Sequence, residues 1–148
     1  MKIQASVQIQ SSPDKVWSML SEPAMMVLWQ SGYESTVITK GEPGEVGSVA
    51  HHVFKEKGKT VEVDEEILSS TYGSARSTRL TYPVMNQEVH YEIKGNDPTT
   101  LNCSIQFDMK AFSLRIMWPW LKKSFQEKLN SDLDRLKQQL EGQVPLEK

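Results

Sequence analysis

Residues 119–142 read PWLKKSFQEKLNSDLDRLKQQLEG, and this stretch decides the fold. Leu121, Phe125, Leu129, Leu133, Leu136 and Leu140 recur at steps of four and three, the period of one helix face. Lys122, Lys123, Lys128, Asp134 and Lys137 fall on the other face. Pro119 suits the first helical turn and Gly142 the C-terminal stop, with Pro145 beyond it. Such a stripe needs an apolar partner surface, because an amphipathic helix draws most of its stability from packing. The remainder of the chain has to provide that surface.

Upstream, the periodicity changes to two. Ile3, Ala5, Val7 and Ile9 alternate with polar residues, which marks a half-buried first strand within Met1–Gln10. Ser12-Pro13-Asp14 then combines an N-cap, a first-turn proline and an acid at the positive helix end. A helix carrying Val16, Trp17 and Leu20 inward follows. Pro23 stops it, and a second short helix spans Ala24–Trp29, closed by Gly32. Turn signals next recur at Gly41–Gly44, Lys57–Lys59, Tyr72-Gly73, Tyr82-Pro83 and Gly95–Pro98. The runs between them predict strands Glu34–Lys40, Val46–Lys55, Thr60–Ser69, Ala75–Tyr82, Glu88–Lys94 and Leu101–Lys110. Short connections favour antiparallel neighbours, so these six form a meander.

The expected fold is therefore α+β. A seven-stranded antiparallel sheet wraps a long C-terminal helix, with two short helices between strands 1 and 2. One domain spans 1–148. The 148 residues carry 17 Lys+Arg against 19 Asp+Glu, a formal charge of -2, which speaks against a phosphate-backbone binder and hence against a nucleic-acid partner. Cys103 is the one cysteine, so no intramolecular disulfide forms. No stretch has the apolar length of a transmembrane helix and the N-terminus has no apolar run of a signal peptide. A cytoplasmic protein without stable membrane insertion is expected.

The opening Val7-Gln8-Ile9-Gln10-Ser11-Ser12-Pro13-Asp14-Lys15-Val16-Trp17 resembles the strand–helix start of the START-related, or SRPBCC, superfamily. That superfamily includes polyketide cyclase/dehydrase-like and birch-pollen-allergen-like proteins. Leu20–Pro23, Trp29 and the closing Leu129–Lys137 fit the same pattern. The resemblance covers nearly the whole chain. It implies the helix-grip fold and a deep apolar cavity for lipids, sterols, polyketides or similar ligands. It carries over no catalytic motif.

The residues suggest which groups face such a cavity. A tight Lys57–Lys59 turn places Phe54 opposite Val61, His52 opposite Val63 and Ala50 opposite Glu65. Val61, Val63 and Ile67 then put Glu65 on the inner face, joined by Arg76, Thr78, Leu80 and Tyr82 and, farther on, by Tyr91 and Phe107. A one-residue slip would invert every one of these assignments. His52 and Glu65 form the candidate catalytic pair, a base or acid with an orienting carboxylate; a pair that only orients water or ligand is the alternative. Arg76 could hold a ligand carboxylate or phosphate, and Tyr82 and Tyr91 could offer hydroxyls. Met26, Trp29, Trp118 and Trp120 lie near the expected cavity mouth. Trp118 and Trp120 read as a lid or portal, a staple of the helix on the sheet, or a dimer seam. Adjacent His51 and His52 face opposite sides of a strand, so no metal site is expected. No phosphate loop or nucleophile elbow is present, so no cofactor is expected.

Three functions follow in order. The first is binding of a hydrophobic small molecule or lipid between sheet and C-terminal helix. The second is a cyclase/dehydratase-like enzyme on a hydrophobic substrate. The third is a protein–protein module, a homodimer included.

Overall fold

A computed structural model describes residues 1–142; Pro145 lies outside the described residues. The chain runs β1 (Lys2–Ile9), α1 (Pro13–Ser21), α2 (Pro23–Trp29), β2 (Tyr33–Lys40), β3 (Val49–Glu56), β4 (Lys59–Thr71), β5 (Ala75–Thr81), β6 (Met85–Gly95), β7 (Thr99–Met109), α3 (Phe112–Ile116) and α4 (Trp118–Glu141). The seven strands form one antiparallel sheet in the order β1-β7-β6-β5-β4-β3-β2. The expected α+β helix-grip architecture is the observed one. Strands β2 to β7 are the meander. Strand β1 returns across the whole sequence to pair with β7, Ile3 opposite Ile105.

Local chemistry accounts for the element boundaries. Ser12 is extended and its hydroxyl accepts from the Lys15 amide, with Pro13 opening α1. Gly32 turns α2 into β2 at a positive φ of 78°, and an added Cβ would strike the Lys55 carbonyl oxygen. Glycine alone fits there. Gly142 ends α4 in the left-handed region, as its position predicts. Three features depart from the expected layout. Strand β6 starts at Met85, three residues before the expected Glu88. Strand β3 starts at Val49, because Glu42–Gly47 is spent in turns. A one-turn helix, α3, precedes α4 without any side-chain cap, so the sequence carries no start signal for it.

The leucine stripe of α4 lies on the sheet. Leu129, Leu133 and Leu136 join Ile3, Ile9, Val16, Trp17, Leu101, Phe107 and Met109 in one buried core. Short helices α1 and α2 close one side of that core. Asp132 sits on the leucine face of α4, buried, and fastens α2 to it. Its carboxylate accepts from Lys128 Nζ at 2.8 Å and Arg135 at 3.1 Å, and Arg135 also donates to the Trp29 carbonyl at 2.8 Å. The alternation of Lys128 with the leucines suggests a solvent-facing lysine. Lys128 is exposed, and the clamp also holds it at the rim of the interior.

Candidate functional site

Between the concave face of the sheet, α2 and the first half of α4 lies a chamber of about 280 Å³. Its walls are Ile3 and Ile105, Met26 and Trp29 of α2, Phe54, Val61 and Val63, Leu80 and Tyr82, Val89 and Tyr91, Phe107, and Phe125 and Leu129 of α4. Its polar surface comes from His52, Glu65, Thr78 and Gln87, with Gln30, Glu56, Lys128 and Asp132 at the rim. The volume is just under the range of roughly 300–1,000 Å³ common for small-molecule sites.

The register explains this composition. Pairing of Phe54 with Val61, His52 with Val63 and Ala50 with Glu65 is as the tight turn predicts. On β4, Val61, Val63 and Glu65 therefore face inward together. Thr78 and Leu80 continue the wall from β5, Glu65 facing Leu80 across the strands.

The polar groups form one connected line. Tyr33 Oη lies 2.6 Å from Thr36 Oγ1, and Thr36 Oγ1 lies 2.7 Å from His52 Nδ1. On the far side of the ring, His52 Nε2 lies 2.8 Å from Glu65 Oε1. The other Glu65 oxygen stands 3.7 Å from Arg76. With neutral His52 protonated on Nε2, each donor meets an acceptor: Tyr33 to Thr36, Thr36 to Nδ1, Nε2 to Glu65. A protonated His52 reverses the first two bonds and frees the Tyr33 hydrogen. Burial drives the Glu65 carboxyl upward, but the His52 hydrogen bond and the Arg76 charge outweigh it and hold the group below its ordinary value. Glu65 is thus a buried carboxylate with His52 and Arg76 as its partners.

Both ring nitrogens of His52 are spent on protein groups. A ring in that state orients its neighbours and has no nitrogen free for a substrate. The groups with spare capacity lie beside it. Thr78 is buried, and its Oγ1 stands near the Glu65 carboxylate without completing a hydrogen bond. Burial raises the Tyr82 and Tyr91 hydroxyls well above their ordinary values, so both stay neutral. Burial likewise pushes the Cys103 thiol up to about 12, which leaves it inert.

The sequence-predicted residues divide into three groups. His52, Glu65, Tyr82, Tyr91, Phe54, Met26, Trp29 and Phe107 reach the chamber. Arg76 is buried behind Glu65 and is not part of the wall. Trp118 packs on Phe107 at 5.1 Å between ring centres, on the outer side of the wall, while Trp120 is 71% exposed and away from the chamber. Trp29 also donates from Nε1 to the Met19 carbonyl at 2.8 Å, so it is core and wall at once. Thr78 is on the inner face that the register predicts, whereas Tyr33 and Thr36 carry no signal as site residues in the sequence. Tyr33 and Thr36 are an odd number apart and should face opposite sides of β2. A bulge between Tyr33 and Ser35 turns both toward His52. His51 points to the convex face, where Nδ1 meets Asp64 at 2.7 Å and Nε2 meets Glu62 at 2.8 Å.

Comparisons with known proteins agree with this architecture. The family model described as polyketide cyclase / dehydrase and lipid transport matches residues 1–141. A START superfamily protein from Mycobacterium smegmatis is similar in structure at 17% identity and a TM-score of 0.79, covering 97% of this chain and 99% of that one. The protein Ara h 8.0201 is similar at 13% identity and a TM-score of 0.68, with 92% and 97% covered. DynU16, a putative protein of the dynemicin biosynthetic locus, is similar at 16% identity and a TM-score of 0.72, with 97% of this chain but 48% of that one covered. At these identities the likeness concerns the fold. Among curated proteins, no sequence matches the chain significantly. Among the described residues no helix is long and apolar enough to cross a membrane.

Proposed function

The chain belongs to the polyketide cyclase / dehydrase and lipid transport family, and on that premise we propose that it binds an apolar small molecule or lipid in the chamber under α4. The observation that carries this reading is the chamber's makeup: an aliphatic and aromatic wall with one connected polar line along it. The apolar wall supplies affinity by surface removed from water. The polar line supplies orientation. Thr78 Oγ1 and the neutral Tyr82 hydroxyl are placed to meet an oxygen atom of the ligand.

A cyclase/dehydratase-like reaction is the second reading, favoured by the 2.8 Å contact between His52 and Glu65 at the wall. It ranks second because Thr36 occupies the nitrogen of His52 that Glu65 does not. Catalysis would require Thr36 to yield.

Native mass spectrometry of gently purified protein tests the first reading together with titration by anilinonaphthalene sulfonate. A bound mass released on denaturation, or saturable one-site enhancement of the probe, is expected. Leu80→Trp fills the chamber from β5 and should abolish probe binding while the circular dichroism spectrum is kept. Saturable binding that Leu80→Trp leaves intact would overturn the assignment to this chamber. Turnover of a bound ligand that is lost on His52→Gln and kept or raised on Thr36→Val, with binding retained in both, would favour the enzyme.

A further inference from the structure

We propose that the elbow formed by α3 and the start of α4 docks on an anionic phospholipid surface. Its inner face is spent on the fold, since Leu114, Trp118, Leu121 and Phe125 pack against the core. Its outer face is also apolar. Phe112 and Trp120 are 73% and 71% exposed, and Ile116, Met117 and Val84 are exposed beside them. Val84 belongs to this face because its carbonyl accepts from the Lys110 amide at 3.0 Å, just ahead of α3. A helix start with apolar side chains on both its inner and its outer face is not explained by packing on one sheet.

The charges around the patch name the occupant. Residues 109–126 hold Lys110, Arg115, Lys122 and Lys123 and no acid, a formal +4; with the flanking Asp108 and Glu127 the segment 108–127 is still +2 in a chain of -2. None of the four enters an ion pair among the described residues. Lys110 and Arg115 instead donate to the carbonyls of Tyr82 and Met109, which points them along the same end of the sheet. Exposed Trp, Phe and Ile ringed by unpaired Lys and Arg are the composition of a segment lying in the headgroup layer. A second copy fits poorly. A two-fold contact through this face would set the same four cations against themselves. The face adjoins the chamber through Met85, next to Val84, and through Phe107, which carries Trp118. Docking would therefore bring the chamber's end to the lipid.

Co-sedimentation with vesicles tests this without any chamber ligand, so its failure leaves the binding proposal untouched. One vesicle is phosphatidylcholine alone; the other has phosphatidylglycerol as roughly one lipid in three. The protein should partition onto the anionic vesicle, spare the neutral one, and be released by salt of about 1 M. Lys122→Glu with Lys123→Glu should lower partitioning by roughly thirtyfold or more. Trp120→Ser should lower it further while the salt dependence persists. Both variants change exposed residues, and an unchanged melting curve verifies their folding. Equal partitioning onto both vesicles, none onto either, or a double variant that binds like the parent would overturn the proposal. So would a concentration-dependent dimer that Trp120→Ser dissolves, which would assign the face to a second copy.

Discussion

The two halves of α4 face the same sheet and do opposite things with it. From Leu133 onward the helix is closed on its neighbours: Leu133 and Leu136 are buried against a core that includes Ile9, Val16 and Leu101. Between Phe125 and Asp132 the helix borders the chamber. Phe125 stacks on Phe107 at 4.8 Å, yet both rings also face open volume. The closed half is aliphatic, whereas the open half sets the Phe125 ring beside Leu129. Leucines interlock and fill space, whereas flat rings braced against one another can wall a space without filling it. Stability is concentrated in one half and the capacity to bind in the other.

The largest expected effect separates those halves directly. Leu136→Ala should cost about 2–5 kcal/mol in urea unfolding, because it opens a cavity in filled core. Phe125→Ala removes more atoms but should cost less, since one side of the ring already lacks partners. A Phe125→Ala loss equal to that of Leu136→Ala would end the comparison.

Glu65→Gln is next in size. It keeps the shape and a hydrogen bond to His52 but removes the charge that faces Arg76. A fully buried pair broken on one side costs about 3–5 kcal/mol; at 3.7 Å and with Glu65 part-exposed, a loss near the lower end, about 3 kcal/mol, is expected at neutral pH. The sign with pH follows from the depressed carboxyl. Its stabilisation is present above the unfolded value near 4.5 and is lost as pH falls through the lower folded value. The gap between parent and Glu65→Gln should therefore close in acid. A gap that is flat between neutral pH and pH below about 4.5 would show that the carboxylate is not held ionised.

The smallest effect lies on the convex face, as a control. His51 is raised above 6.5 by hydrogen bonds to Asp64 and then Glu62. A raised histidine stabilises the fold fully below 6.5 and loses that contribution as pH climbs through its folded value. Melting temperatures should thus fall slightly more from pH 6 to 9 for the parent than for His51→Gln, and chamber binding should not change. A change in probe binding would mean that the two faces of the sheet communicate.

What the sequence made legible follows the same division. The closed half of α4 was readable from leucine spacing alone, and the inward turn of Glu65 from its place between Val63 and Ile67. Strict period-two and period-3.6 patterns report burial wherever the backbone is regular. The open half breaks those patterns. Tyr33 and Thr36 share a face only because β2 bulges, and no residue type signals that bulge. Trp118 and Trp120 look like one aromatic unit in the sequence. Two helical residues are about 200° apart around the axis, so one ring turns in and the other out. Asp132 could have been found, since it falls three residues after Leu129 on the stripe. A carboxylate at that position needs cationic partners, and Lys128 and Arg135 stand one turn away on either side.

The pairing of β1 with β7 has a consequence in time. Ile3 waits for Ile105, so β1 leaves the ribosome without its neighbour until about a hundred residues have followed. The meander can zip up strand by strand as it emerges, each hairpin closing a short loop. Strand β1 closes the longest loop in the molecule, and α4, which packs on it, is made later still. Both the chamber's wall at Ile3 and its roof at Phe125 are therefore late arrivals. Such long-range closure slows folding, and the half-built sheet would show its apolar concave side for as long as synthesis continues.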